Sequence, residues 1–516
     1  MRRIFPLLLL LLVLTGCETS GNAELTDPGW EAYQQQEQQS QEETTQPEET
    51  VDYPAAFSLA YHRDHTLDPI TCSEGVQQDV AALLFEPLFQ LNGSFEPEPA
   101  LCTGYAWDET GLVCTLTVRQ GVLFSDGTTL TASDVAATLR RAAASERYGY
   151  RLRQVASITY SNAAGEVVLT LSSPNQGLIA LLDIPVVKSG TENQPVPTGT
   201  GPYLFVTGSE GDYLQANGDW WRGETLPVST IPLVHAKDLD TAVHLFSTRQ
   251  IELLTVDPTG DHTAAAGQVQ ETDRPTTLMQ FIGFNTAEGR LFSSAEARSA
   301  FSGGIQREML ADAFLSGHAR AAQFPLSPVS PLYPEDLEES YSYDATIAAL
   351  TAAGQDTGVT QTLTMLVSEE DSFRVSCAQY IAENLSLLDW EITVVTLPWE
   401  EYLAALEAGE FDLYCGEVKL TADWDLRDLI GTGGSMNYGG YSDPVTDALL
   451  LAFASASDRA AGARQLCAHL QDTVPIAPVC FRDYTVLTHT GVVEDMASTP
   501  GSTFYALENW TIHLEP

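Results

Sequence analysis

Lys419, Thr421, Asp423, Trp424 and Asp425 fall within seven residues, directly after the apolar run Phe411 to Glu417. One loop thus carries a cation, a hydroxyl, two carboxylates and an indole. A second loop of mixed charge, Arg63-Asp64-His65, follows the apolar stretch Ala56 to Tyr61. Both runs read as strands, and in open α/β sheets ligands sit beyond the carboxyl ends of strands. The chemistry these side chains offer is recognition. A charge-assisted hydrogen bond in a site that excludes water contributes about 1.5 to 3 kcal/mol. Covalent catalysis is not suggested, because the chain has no His-Glu-x-x-His, no Gly-x-Ser-x-Gly and no phosphate-cradling Gly-x4-Gly-Lys-Ser/Thr.

Each candidate has a structural alternative. Asp423 or Asp425 can instead cap a helix over Leu426 to Ile430, and Trp424 can fill a core rather than stack on a ligand. Arg63, Asp64 and His65 equally suit a solvated turn. Asn437 and Tyr438, in the Gly-rich stretch after Gly433, are further candidates. His62 and His65 raise the question of a metal, but spacing of three aligns two imidazoles only on a helix. The segment reads as loop, and no Cys or Glu completes a set, so neither a metal nor a cofactor is expected.

The elements that must position these loops are legible as α/β. Ala56 to Tyr61 reads as a strand, and Gln77 to Leu88 carries Val80, Leu83 and Leu84 at helical spacing. A hairpin follows, Leu101 to Trp107 and Leu112 to Arg119, around Asp108-Glu109-Thr110-Gly111. Asp126-Gly127 marks a tight turn, and Thr131-Ala132-Ser133-Asp134 is a capping box opening a helix with Val135, Leu139 and Ala142 buried. Farther on, Gln361 to Val367, a helix near Ser372 to Leu387, Glu391 to Leu397, a helix from Trp399 to Leu406, and Phe411 to Glu417 form a βαβαβ series with a parallel sheet. Leu278 to Asn285 is apolar enough to cross between lobes, and Phe481 to His489 can return.

Several of these segments together resemble the family 5 extracellular solute-binding proteins, the peptide, oligopeptide and nickel receptors of ABC importers. The resemblance rests on Val118-Arg119-Gln120-Gly121-Val122, Phe124-Ser125-Asp126-Gly127 and Leu130-Thr131-Ala132-Ser133-Asp134-Val135. Leu67-Asp68-Pro69, Phe85-Glu86-Pro87-Leu88, Gly199-Thr200-Gly201-Pro202-Tyr203, Asn217-Gly218-Asp219-Trp220-Trp221-Arg222-Gly223, Phe284-Asn285-Thr286 and Ala297-Arg298-Ser299-Ala300-Phe301 follow in the same order, from about Phe57 to Thr490. The resemblance implies an α/β, two-lobed, type II periplasmic-binding-protein-like fold with a subdomain inserted in lobe I. Lobe I would hold residues 53–274 with a return over 483–516, and lobe II residues 275–482. It also implies a binding protein that captures short peptides by hinge closure and hands them to a permease and its ATPase. Asp423 matches the carboxylate that peptide-binding members set against the ligand ammonium, and the Arg63 to His65 loop resembles their cleft-lining loop. Two departures stand out: Gln306 where the family has Asp, and Lys419-Leu420 where it has Gly-Trp near the ligand. The second keeps a non-peptide solute open, such as an oligosaccharide, an opine-like compound or a chelated metal. A surface lipoprotein with a chaperone-like or signalling role is the remaining alternative.

The leader and the charge fit that setting. Arg2 and Arg3 precede an apolar run from Ile4 to Leu14, long enough for export and too short to span a bilayer. The run ends in Leu14-Thr15-Gly16-Cys17, which resembles a bacterial lipobox, with residues 1–16 as signal peptide and Cys17 as the lipidated mature terminus; the alternative is an ordinary export signal. Residues 17–52 hold ten acidic residues and no Lys or Arg, a linker expected to be disordered with a reach of about 30 to 35 Å. The whole chain has 70 acidic against 24 basic residues. Removing linker and leader leaves 60 against 22, so nucleic acid is excluded as a partner. The remaining partners expected are a small solute, the transporter subunits and the membrane through the anchor on its extracytoplasmic face, with the protein a monomer. Seven further cysteines form no Cys-x-x-Cys, and Cys102 with Cys114 is the one pair worth testing as a disulfide.

Overall fold

The computed structural model describes residues 53–260, 264–315, 317–352, 360–386 and 390–516. The signal peptide, Cys17 and the acidic linker lie outside the described residues.

One large mixed sheet organises the molecule. Its strands, in chain order, are β1 (Leu59–Tyr61), β2 (Tyr203–Thr207), β3 (Asp212–Ala216), β4 (Thr230–His235), β5 (Leu253–Val256), β6 (Val269–Phe284), β7 (Ala319–Ala321), β8 (Gln361–Ser368), β9 (Trp390–Leu397), β10 (Leu413–Lys419) and β11 (Ile476–His489). Across the sheet they lie in the order β9-β8-β10-β6-β11-β5-β1-β4-β3-β2, with β7 beside β11. The long antiparallel pair β6 and β11 joins the two halves. Thr485 to Thr488 of β11 pair with β5, whereas Leu278 to Phe284 of β6 pair with β10. The register shifts between Pro275 and Leu278. Pro275 brings no N–H to the ladder, and two threonines stitch the gap. Thr276 Oγ1 donates to the Arg482 carbonyl, and Thr277 Oγ1 donates to that of Leu420 at 2.6 Å.

In the half containing β8 to β10, β8 pairs parallel with both β9 and β10, and the connections are the helices Ser372–Leu385 and Trp399–Ala408. Asp371 caps the first helix by accepting from the Arg374 N–H. Gly409 ends the second in a left-handed conformation, φ 68°, which a side chain would resist. Apolar clusters cover both faces of this sheet, one around Phe284, Phe301 and Trp390 and the other around Phe281, Tyr414 and Phe481. The inserted subdomain is a separate antiparallel sheet of Cys102–Trp107, Val113–Val118, Glu166–Leu171 and Val155–Ser161, packed on the helix Ala132–Ala143. That helix opens with the expected capping box, the Asp134 carboxylate accepting from the Thr131 N–H at 3.0 Å.

Three expectations shift. The first helix spans Gly75–Leu84 and stops short of Leu88, because the residue before Pro87 is pushed out of helical geometry and Phe85 is already extended. The crossing strand starts at Val269, nine residues before Leu278. Only its second half is buried on both faces, so only that half shows a continuous apolar run. Cys102 and Cys114 are free thiols like the other five described cysteines. The hairpin register sets Cys102 opposite Val118 and Cys114 opposite Trp107, so they are not partners.

Candidate functional site

The loop after β10 meets the inserted subdomain and the segment that follows it. Asp423 is 4% exposed, and its Oδ2 accepts from Asn175 Nδ2 at 2.7 Å. Thr421 Oγ1 donates to the other oxygen, and Arg459 Nη2 donates to the Asp423 carbonyl at 2.6 Å. A Cβ at Gly177 would stand 2.7 Å from that of Asp423, so only glycine permits this approach. The contact continues outward. Gln176 N–H donates to the Ala454 carbonyl at 2.8 Å, Arg153 reaches both Asp425 and Asp428, and Tyr150 donates to Asp428 at 2.7 Å. A shallow opening at this seam is lined by Asn175, Asp423, Trp424, Asp425, Arg427 and Phe453 among others.

Asp425 takes the capping alternative and adds an ionic clamp. Its Oδ1 accepts from the backbone of Arg427, the first residue of the helix Arg427–Ile430, while Arg427 and Arg153 clamp the carboxylate. Burial alone would raise its pKa, but the two guanidiniums hold it below the usual carboxylate value. Trp424 takes the packing alternative. It is 1% exposed, edge-on to Phe95 at 5.2 Å and to Phe481 at 6.0 Å, and is held at φ 57° by that packing. Asn437 fixes its own loop, bonding the carbonyls of Gly431 and Tyr441 and the N–H of Tyr441. Tyr438 is half-buried with its ring edge-on to Tyr414.

The second predicted loop stands apart. Arg63, Asp64 and His65 are exposed; Arg63 lies 3.5 Å from Asp212, and His65 stacks on His62 and pairs with Glu74. No hydrogen bond or ion pair among the described residues joins this loop to residues 419–425. The two imidazoles stack face to face at 3.6 Å, and no group of three metal-ligating side chains occurs among the described residues.

Lys419 leads to the part of the site the sequence did not disclose. It ends β10 opposite Leu278, while Leu420 beside it is buried and bonded to Thr277 at the register shift. Lys419 keeps solvent access, yet its surroundings withdraw enough water to lower its pKa, and Arg147, Arg151 and Arg274 lower it further. These four cations come from three segments, Arg147 and Arg151 lying four residues apart in one of them, and several neighbouring guanidiniums are matched. Arg141 pairs with Asp68, Arg151 with Asp183, and Arg274 lies 3.9 Å from Asp79. Arg147 donates to the Cys72 carbonyl at 2.6 Å. Neither Arg147 nor Lys419 has a carboxylate within ion-pair reach among the described residues. A signal for this cluster was present: Arg140, Arg141, Arg147, Arg151 and Arg153 fall within fourteen residues of a chain with 24 basic residues in all.

Comparison with known proteins agrees with this architecture. The model of the bacterial extracellular solute-binding proteins, family 5 middle domain, matches residues 96–428. The glutathione-binding protein GsiB of Salmonella paratyphi A is 25% identical over 424 residues, 76% of this chain and 81% of the relative. Its Escherichia coli K12 counterpart is 24% identical over 71% of this chain and 76% of its own length. Among solved structures, HbpA2 from Haemophilus parasuis superposes with a TM-score of 0.74 at 19% identity, over 89% of this chain and all of that one. The substrate-binding protein CtaP from Listeria monocytogenes gives 0.70 at 19% identity, with the same coverage. With the family model covering more than half of its length, the chain belongs to the bacterial extracellular solute-binding proteins of family 5 and is a binding protein rather than an enzyme.

Proposed function

We propose that this protein is the lipid-anchored substrate-binding component of an ABC importer, capturing a short peptide between two lobes and delivering it to a membrane permease. Residues 53–274 and 483–516 form one lobe and residues 275–482 the other, with the hinge where Pro275, Thr276 and Thr277 meet Arg482 and Leu420. The observation that carries the reading is the position of Lys419: solvent-exposed, beside that hinge, and at the carboxyl end of a strand that pairs parallel with β8, the end at which α/β sheets bind ligands. Ligand would shift the lobes toward closure by its preference for the closed state, and the permease would read that state. Lipidation at Cys17 would keep a monomeric receptor at high effective concentration near its permease. The relatives support a small-solute ligand: one kind is named for glutathione, and AppA from Bacillus subtilis is described in complex with a nonapeptide.

A non-peptide solute is the second reading, favoured by Lys419-Leu420 in place of the family's Gly-Trp. Native mass spectrometry of protein purified without refolding, followed by thermal-shift screening against short peptides, sugars and Ni²⁺, tests both. Peptide capture predicts a one-to-one peptide adduct and a raised Tm with peptides alone. Stabilisation by a sugar or Ni²⁺ alone would overturn it in favour of the second reading.

A further inference from the structure

We propose that Arg482 is a positioning residue that fixes the angle between the two lobes, its one guanidinium holding Asp257 of one lobe and Glu417 of the other, and so governs solute affinity without touching the solute. This deepens the solute-capture reading and rests on it.

The fork of this guanidinium is divided. Nη1 donates to Asp257 Oδ1 at 2.7 Å and to Thr259 Oγ1, whereas Nε and Nη2 both reach Glu417 Oε2, at 2.8 and 2.7 Å. Its acceptors belong to opposite halves of the sheet. Asp257 directly follows β5, which pairs with Thr485 to Thr488 of β11, and Glu417 is on β10, which pairs with β6. Arg482 lies on β11 just before the part that meets β5, opposite Leu278, the first residue of β6 past the register shift, and is 4% exposed. Each carboxylate is anchored on its own side. Asp257 Oδ1 accepts from the Thr259 N–H at 2.9 Å and from its hydroxyl at 2.7 Å, and Glu417 Oε2 accepts from Gln280 Nε2.

A planar, rigid fork meets two anchored carboxylates at one separation only. Rotation of one half against the other about Pro275 to Thr277 would draw Asp257 away from Glu417 and break an arm, leaving a buried charge short of a partner, which is strongly unfavourable. The triad therefore favours the present angle. At that angle the halves also meet far along the chain from Arg482, where Asn175 bonds Asp423 and the Gln176 N–H donates to the Ala454 carbonyl. Without the guanidinium, two carboxylates would repel across the joint and drive the halves apart. The arrangement carries a local cost, since Gln280 turns Nε2 to Glu417 while its own Oε1 is buried with no hydrogen-bond partner among the described residues. A polar group left short beside a hinge marks a place shaped for more than stability.

Hydrogen exchange and small-angle scattering of the ligand-free protein test this, with isothermal titration of Ala-Ala-Ala, or of any solute that copurifies, as the binding probe. Arg482→Met should enlarge the radius of gyration, speed exchange of the Gln176 amide by about tenfold or more, and weaken the probe by a similar factor. Arg482→Lys keeps the charge without the fork and should fall between. Asp257→Asn removes the charge of one arm while keeping the shape of its turn; it should move the same readouts in the same direction, and the double variant should be no worse than Arg482→Met alone. Circular dichroism and a cooperative melt establish that the variants fold. An unchanged radius and Gln176 exchange in folded Arg482→Met, or Asp257→Asn and Arg482→Met effects that simply add, overturn the assignment while solute capture stands. If neither Ala-Ala-Ala nor a copurified solute binds the parent, solute capture falls, and Gln176 exchange in Arg482→Met still accepts or rejects the interlobe role.

Discussion

Asn175 donates a hydrogen bond to Asp423 at 2.7 Å across a separation of 248 residues, and both side chains are buried. That carboxylate, which the sequence offers to a ligand ammonium or to a helix cap, forms part of a seam between the subdomain side and the loop after β10.

Removing Asn175 should therefore loosen that seam. Asn175→Ala leaves a buried carboxylate short of a donor, which costs about 1 to 3 kcal/mol. The expected outcome is a lower Tm with faster hydrogen exchange over residues 423–428. Unchanged exchange there would show that the seam does not depend on this bond.

Arg153 makes the outer half of the seam, pairing with Asp425 at 2.8 Å and also with Asp428. It is exposed, so Arg153→Gln should cost only about 0.5 to 1 kcal/mol, and less at high salt. Chemical denaturation at low and at molar salt reads the difference; a loss independent of salt would contradict an ionic contribution.

Glu252 and His489 are both 2% exposed, 3.7 Å apart, and His489 stacks on Phe246 at 4.3 Å. Burial raises the Glu252 pKa to about 7 and lowers that of His489. A carboxyl with a raised folded pKa contributes stability that is full below its unfolded value and is lost as pH rises through the folded one. Stability should thus fall by on the order of 3 kcal/mol between about pH 4.5 and 7 from this group. Glu252→Gln should flatten that fall, as followed by urea midpoints. An identical pH profile in the variant would sink the assignment.

The seven described cysteines are buried thiols, and burial pushes the pKa of Cys102, Cys114, Cys415, Cys467 and Cys480 up to about 12. Iodoacetamide should leave them unmodified in the native protein and alkylate all seven after denaturation, with no effect of reductant on Tm. Rapid native labelling or a reductant-sensitive Tm would contradict the free-thiol state.

Much of the fold was legible because local signals agreed with global packing. The Thr131 to Asp134 capping box, the βαβαβ series from Gln361 and the order of the family segments each pointed to the observed elements. The site was legible only in part. Lys419 and Asp425 were named from their place at the end of a strand; the Asp425–Arg427 pair is local, two residues apart, but Arg153 reaches Asp425 from 272 positions away, which is set by tertiary approach. For Asp423 and Trp424 the sequence left a ligand-facing and a structural reading open, because a loop after a parallel strand can turn toward the cleft or toward the core. What turns them inward is Asn175 and Phe95, residues 248 and 329 positions away, whose approach no local pattern encodes. The start of β6 was missed for a related reason, since Val269 to Arg274 alternates too little to announce a strand.

The most direct test of solute capture is to release whatever the native protein carries by acid denaturation, identify it by mass, and return it to protein freed of ligand by dialysis. Thermal melting and small-angle scattering then read its effect together. The account predicts a solute of defined mass that raises Tm, contracts the radius of gyration and fails to do either in Lys419→Met. Release of no solute, together with a Tm and radius unmoved by the peptide, sugar and Ni²⁺ probes, would contradict it.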